Sequence, residues 1–227
     1  MKQRKGKLKL TDRGSIKRQA NKKMRRDRIL DIAKHQIAKG GFDSFTFNKL
    51  AAEAGVSTPT IYNLFGKKDD ILNELVMELM EVMRVLLHKP PSNDPIKSSE
   101  YYINEVVALF EKNEDFYRAA YMAAEKLEIL DPRIPNGSYQ EALQLCNEFC
   151  NAAKEDGYLL GNIETSSLAK QLFDCHRLVR KDWVAQHIDL EQYAQQVKRG
   201  FYIIYASDAT PETYTRLCKE IKQLNIL

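Results

Sequence analysis

Residues 46–66 read Thr46-Phe47-Asn48-Lys49-Leu50-Ala51-Ala52-Glu53-Ala54-Gly55-Val56-Ser57-Thr58-Pro59-Thr60-Ile61-Tyr62-Asn63-Leu64-Phe65-Gly66. Thr46 can cap a short helix whose apolar face is Phe47, Leu50, Ala51 and Ala54, and Gly55 ends it. A second helix follows at once: Ser57 or Thr58 can cap it, Pro59 suits its first turn, and Ile61 and Phe65 share one face. Two short helices joined by Ala54-Gly55-Val56-Ser57 make a helix-turn-helix, with Gly55 permitting the tight turn and Val56 plugging the angle. The second helix is then free to enter a major groove. On spacing alone a purely structural helical corner is an equal reading.

Upstream, Ile29, Ile32, Ala33 and Ile37 form one helical stripe from Asp27 onward that stops at Gly40-Gly41. Downstream, a fourth helix starts after Gly66 with Asp69 and Asp70 in its first turn, and carries Leu72, Leu75, Val76, Leu79, Met83 and Leu86. It is long enough to join two modules. Pro90-Pro91-Ser92-Asn93-Asp94-Pro95 breaks the chain. Six further helical segments are expected near 98–112, 114–128, 138–156, 164–187, 189–207 and 211–224. Pro132, Pro135 and Gly137, Gly157 and Gly161, and Thr210-Pro211 separate them. Strand-type alternation is nearly absent, so the expected fold class is all-α.

The 227 residues, 44% of them hydrophobic, suffice for a sizeable core. No apolar run reaches the ~20 residues of a membrane span, and the N-terminus carries charge where a signal peptide would be apolar, so a cytoplasmic location without membrane contact is expected. The cysteines Cys146, Cys150, Cys175 and Cys218 form no CxxC pair and read as reduced, mostly buried thiols. Residues 1–30 hold 13 Lys/Arg against Asp12 and Asp27, a net +11 that leaves the rest at −7 within a whole-chain +4. Such an asymmetry suits attraction to a polyanion, or a solvated tail.

Residues 41–72, with Leu50-Ala51, Ala54-Gly55-Val56-Ser57, Ile61-Tyr62, Phe65, Lys68 and Leu72 as the matching core, closely resemble the DNA-binding domain of the tetracycline-repressor (TetR) family. The resemblance implies a homodimeric transcriptional repressor. A three-helix head would bind double-stranded operator DNA, and a helical body would bind a small apolar or amphipathic effector that releases the operator. The resemblance implies a head at 25–70 and a ligand-binding and dimerisation domain at 71–227, and the basic arm at 1–24, expected to be disordered, exceeds what the family usually shows before its first helix. Carried over by position, Thr58, Pro59, Thr60, Tyr62 and Asn63 form the recognition surface, Asn48 lies close to base edges, and Thr46 and Lys68 hold the DNA backbone. The residue chemistry is compatible: Asn can pair with adenine, Thr can contact thymine, and Tyr suits phosphate or sugar. Leu64 and Lys67 depart from the family, where His and Ser or Asn are common, so operator preference does not transfer.

In the C-terminal half, Leu168, Leu172, Cys175, Val179 and Trp183 make one stripe, and Leu190, Tyr193, Ala194, Val197, Phe201 and Ile204 another. Spacing alone allows a subunit interface or an intramolecular core. The resemblance, in which late helices dimerise, makes Leu168, Leu172, Val179, Trp183, Tyr193, Val197, Phe201 and Ile204 the expected interface. Phe110, Tyr117, Tyr121, Phe149 and Phe173 are the expected effector-binding residues. Competing readings are a metal or thiol sensor using Cys146, Cys150 and Cys175, beside His176, and a non-specific DNA-binding protein driven by the arm. No P-loop, dinucleotide glycine pattern, HExxH or GxSxG is present, so neither an enzyme nor a cofactor is expected.

Overall fold

The computed structural model describes the backbone of residues 10–86, 92–129, 131, 133 and 138–224, and the side chains of these except 10–17 and 84–86. Among the described residues there are ten helices: α1 (Leu10–Ser44), α2 (Phe47–Ala54), α3 (Thr58–Phe65), α4 (Lys68–Leu86), α5 (Pro95–Glu111), α6 (Glu114–Lys126), α7 (Ser138–Glu155), α8 (Thr165–Val184), α9 (Leu190–Ala206) and α10 (Pro211–Gln223). Among the described residues the only extended pairing is a single bridge between Leu159 and Ala209. The Leu86 side chain, Pro90 and Pro91 of the Pro90–Pro95 break, and Pro132, Pro135 and Gly137 lie outside the described residues.

The first helix differs from the sequence expectation at its start. It begins at Leu10 rather than near Asp27, so residues 10–24 continue the helix instead of forming a disordered arm. Lys, Arg, Gln, Ala and Met dominate that stretch and favour helix, with Gly14 its one weak point. Residues 1–9 of the arm lie outside the described residues. The helix breaks where expected: Gly41 has φ 73°, a left-handed backbone that glycine adopts without a Cβ penalty.

Ile29, Ala33 and Ile37 of α1 meet Leu50, Ala51 and Ala54 of α2, Ile61 and Phe65 of α3, and Ile71, Leu72 and Leu75 of α4 in one buried cluster, the core of the head. The expected head boundary at residue 70 falls inside the first turn of α4. This helix continues without interruption into the body, where it packs along α6.

In the body, α6 lies beneath α1 and α4, α8 pairs with α7 and α9, and α9 packs on α5 and α10. An aromatic cluster forms its centre: Phe110 stacks on Trp183 at 4.4 Å between ring centroids, with Tyr121 and Tyr193 each 5.8 Å from Phe110. Buried Asp208, between α9 and α10, accepts hydrogen bonds from the backbone N–H groups of Gly161, Asn162 and Ile163, fixing the α7–α8 turn. Head and body meet through Lys34, whose ammonium sits 4.5 Å above the Phe116 ring and 3.1 Å from Glu78, and through a 2.6 Å contact between His35 and Asp115.

Candidate nucleic-acid interface and effector cavity

The recognition helix is a short platform with little of itself buried. Of α3 only Ile61 and Phe65 enter the core, as a helix with one apolar stripe requires, and Pro59, Tyr62 and Asn63 face solvent. Tyr62 is 56% exposed, yet its ring stands edge-on against Phe47 at 4.9 Å. The ring is therefore seated on α2 while the hydroxyl stays available. Thr58 donates its hydroxyl to the Asn48 side-chain oxygen at 3.1 Å, which binds α2 to α3 and leaves the Asn48 amide N–H groups unspent in that contact. The Thr60 hydroxyl is engaged with Ser57, the N-cap of α3, at 2.8 Å.

Thr46 caps α2 as expected, accepting from the Lys49 backbone N–H at 3.3 Å. Gly55 ends α2 with φ 65° and donates back into the helix. The structure gives Lys68 an internal contact: its ammonium donates to the Phe42 carbonyl at 2.8 Å and lies 3.9 Å from the Phe42 ring. It thereby ties the start of α4 to the turn before α2. An ammonium carries three donors, so a phosphate contact remains compatible with this strut.

Sequence reasoning missed how two arginines of the basic N-terminal segment are used. Arg28 donates to the carbonyl of Ala54, the last residue of α2, at 2.7 Å. Arg26 donates to the carbonyl of Leu64 near the end of α3 at 3.3 Å, pairs with Glu74, and covers the Phe65 ring at 4.7 Å. Each satisfies a helix-terminal carbonyl and places positive charge where the helix dipole favours it. Only the register of α1 against α2 and α3 could have revealed this.

A cavity of about 260 Å³ lies in the body, walled by α4 to α9. Tyr121, Phe149 and Phe173 line it, as the sequence suggested. Phe110 and Tyr117 do not. Both are buried and touch each other at 5.1 Å, and Phe110 is spent on Trp183, so they are core. The lining that sequence reasoning missed is Met80 and Met83 from α4, Tyr102 from α5, and His176 and Arg180 from α8. Met83 is held by the Tyr121 hydroxyl, 3.6 Å from its sulfur.

His176 is buried between two tyrosines, its Nε2 2.6 Å from the Tyr193 hydroxyl and its Nδ1 3.4 Å from that of Tyr102. Burial first, and the nearby Arg180 charge second, push its pKa down to about 3. It is neutral at physiological pH. The metal or thiol reading gains nothing from this geometry. Burial pushes the Cys146 and Cys150 thiols up to about 12 and raises that of Cys175, so the thiolate form that ligates metal is disfavoured. Among the described residues no group of three His, Cys, Asp or Glu side chains is placed to hold a metal.

Most of the expected dimer stripe is covered within the single chain. Trp183, Tyr193 and Val197 are fully buried, Leu168 nearly so, and Leu172 and Phe201 are turned into the cavity wall. Val179 and Ile204 pack half-buried against the same core. The covered part of the stripe is intramolecular because α8 packs on α6 and α7, α9 packs on α5, and the two pack on each other. Gly200 makes the close approach of α8 and α9 possible, since a Cβ there would collide with the Cys175 sulfur. What these helices leave in solvent is Leu178 and Ile203, 60% and 54% exposed.

Residues 29–75 match the model of the bacterial regulatory proteins, tetR family. Among curated proteins none matches the chain. Solved structures share the fold over nearly the whole chain. A TetR-family transcriptional regulator from Marinobacter aquaeolei VT8 superposes with TM-score 0.67 at 21% identity, covering 88% of this chain and 98% of its own. A gamma-butyrolactone receptor (ArpA-like protein) gives 0.64 at 17% identity, covering 89% and 97%. CprB of Streptomyces coelicolor, solved with its operator sequence, gives 0.61 at 16% identity, covering 88% and 95%. The sequence match covers α2, α3 and the start of α4 together with the second half of α1, the elements that build the head, and the fold match extends through the body. The head, residues 29–75, is thus similar in sequence to the tetR family of bacterial regulatory proteins, and the chain as a whole shares the fold of these solved regulators.

Proposed function

We propose that this chain is a homodimeric, ligand-responsive transcriptional repressor that places α3 in the major groove of operator DNA and leaves it when a small apolar or amphipathic effector enters the body cavity. The observation that carries this reading is the course of α4. At its start Lys68 is fastened to the Phe42 carbonyl, Ile71, Leu72 and Leu75 hold the head core, and Met80 and Met83 stand in the cavity wall. One helix, rising about 22 Å from Lys68 to Met83, therefore touches both the DNA-binding head and the effector space. Its geometry supports a mechanism in which an occupant shifts the Met80–Met83 turn and so the angle of the head. A coupling of about 1–3 kcal/mol between the two sites suffices for regulation. Solved structures of the same fold include a gamma-butyrolactone receptor and a regulator in complex with its operator, which fits both halves of the reading.

On the head, Thr58, Pro59, Thr60, Tyr62 and Asn63 form the proposed recognition surface, with Asn48 close to base edges and Tyr62 suited to phosphate or sugar, and Thr46 and Lys68 are the backbone-facing residues. A second copy joins through the outer faces of α8 and α9, where Leu178 and Ile203 are exposed. Two heads then address successive major grooves about 34–36 Å apart. The test is binding of the purified chain to DNA from upstream of its own gene and to a scrambled duplex, each across a salt titration. A preference of at least ~4 kcal/mol for the upstream fragment is expected. Equal affinities with equal salt slopes, for the full chain and for a chain lacking residues 1–24, on fragments tiling the neighbouring intergenic regions, overturn it.

A further inference from the structure

The lining of the body cavity holds two charged side chains, and they differ in setting. Glu141 of α7 is exposed. Arg180 of α8 is only 7% exposed, and its guanidinium lies over the Tyr121 ring at 4.2 Å. No carboxylate among the described residues comes within ion-pair distance of it, whereas Lys34, Arg26 and Arg118 all have acidic partners. A ring face offers a guanidinium some electrostatic compensation. A hydrogen bond to the Tyr121 hydroxyl engages one of its donors, and the rest of the planar fork that matches a carboxylate meets no acidic side chain among the described residues. Arginine is rarely buried without an acidic partner, since an uncompensated charge away from water is costly. The other ionisable group nearby, His176, is neutral and occupied by Tyr102 and Tyr193, so it adds no competing charge.

Ser98 and Ser99 of the wall spend their hydroxyls on the Pro95 carbonyl, Ser138 is a third small polar residue, and most of the remaining wall is apolar or aromatic: Met80, Met83, Leu145, Phe149, Leu172 and Phe173. A buried cation at one place in a largely apolar space of about 260 Å³ defines a ligand with two unlike ends. We propose that the effector is a small amphiphile with an anionic, carboxylate-type head that pairs with Arg180, its apolar body lying among the methionine and aromatic side chains. This inference rests on the ligand-responsive reading above and specifies the chemistry of that site. The carboxylate takes the place of the acidic side chain that the protein does not supply, and its tail presses on the α4 methionines.

The experiment uses the full chain and four probes of equal carbon number: octanoate, octanol, octylamine and the neutral ester γ-octalactone. Their binding is measured by calorimetry, and release of the upstream DNA fragment is measured separately for each. Octanoate is expected to bind most tightly and octylamine least. Arg180→Met should weaken octanoate about 10- to 100-fold, the range for loss of charged hydrogen bonds, while leaving octanol within a few-fold. Arg180→Lys should recover part of the loss, and Glu141→Gln should not weaken octanoate. Should Arg180→Met fail to fold, the order of the four probes on the unaltered chain still decides. Octanol or γ-octalactone binding as well as or better than octanoate, or no octanoate binding at millimolar concentration, overturns the anionic head. Tight octanoate binding with no effect on DNA affinity instead keeps this site and overturns its regulatory role.

Discussion

Two helix pairs in this molecule present apolar stripes of similar appearance in sequence, and they put them to different uses. The α2–α3 pair is short and hides its few apolar side chains under α1 and α4, so what remains outside is a polar surface held at a fixed angle. The α8–α9 pair is more than twice as long per helix and hides Trp183, Tyr193 and Val197 in the body of its own chain. The function proposed for the first pair lies on its outward residues. For the second pair the proposed function lies inside, because the buried face also supplies Leu172, His176, Arg180 and Phe201 to a cavity. Periodicity reports that a face is covered; it does not report by what.

The strongest way to break this contrast is to remove the centre of the second pair. Trp183 is fully buried and stacked on Phe110, so Trp183→Ala is expected to cost about 3–5 kcal/mol of stability, the range for deleting a large aromatic from a core. Urea unfolding followed at low protein concentration checks it. If the variant keeps its unfolding midpoint and only its dimerisation weakens, the α8 stripe faces a partner after all. Leu178→Asp with Ile203→Asp supplies the converse, a loss of the dimer on sedimentation with little loss of monomer stability.

His176 sharpens the same contrast through pH. Its folded pKa, about 3, lies below the ordinary value of 6.5. Above pH 6.5 the ring is neutral in both folded and unfolded chains, and between 6.5 and 3 only the unfolded chain takes up the proton. Stability should therefore fall on acidification through that window by about 1.4 kcal/mol per pH unit, hence about 2 kcal/mol between pH 6.5 and 5. Other groups titrate in the same range, so the decisive quantity is the difference in slope between the wild type and His176→Gln. Parallel slopes would mean that His176 is open to water and that the cavity floor is not closed.

On the head the sharpest substitution is Tyr62→Phe, which keeps the edge-on contact with Phe47 and removes only the hydroxyl. Specific DNA affinity should drop by about 1–2 kcal/mol, with thermal stability unchanged. An unaltered affinity would move the DNA surface away from the centre of α3.

How far these features were legible follows from where their causes lie along the chain. Thr46, Gly55, Pro59 and the Gly41 break act on neighbours within a few residues, so the head was readable almost to the residue. The starts and stops of α5 to α10 were close for the same reason. Phe110 and Trp183 are 73 positions apart, and nothing local in either says that they stack. The same limit put Phe110 and Tyr117 in the expected ligand site and left out Met80, Met83 and Arg180. An arginine in an amphipathic helix reads as solvated until a structure shows that its side of α8 is covered. The early start of α1 was missed because charge density was weighed against helix, although Lys and Arg are themselves good helix formers.

The smallest effect separates two fates of the N-terminal positive charge. Arg28 and Lys23 lie five residues apart in α1 and contribute equally to the net charge. Arg28 reaches the Ala54 carbonyl at 2.7 Å, closing the end of α2, and Lys23 is exposed. Because the Arg28 contact is partly open to water, Arg28→Met is expected to cost about 1 kcal/mol of stability or less. Lys23→Met should cost none. If exposed lysines on α1 contact phosphate, Lys23→Met should lower the slope of log K against log salt by about 0.9, one released counterion. Should Arg28→Met instead leave stability intact and lower the salt slope, its carbonyl contact is incidental and the basic segment acts as one uniform electrostatic surface. Should the two variants part as expected, the same run of charge holds the helix-turn-helix together at Arg26 and Arg28 and attracts DNA through the residues before them.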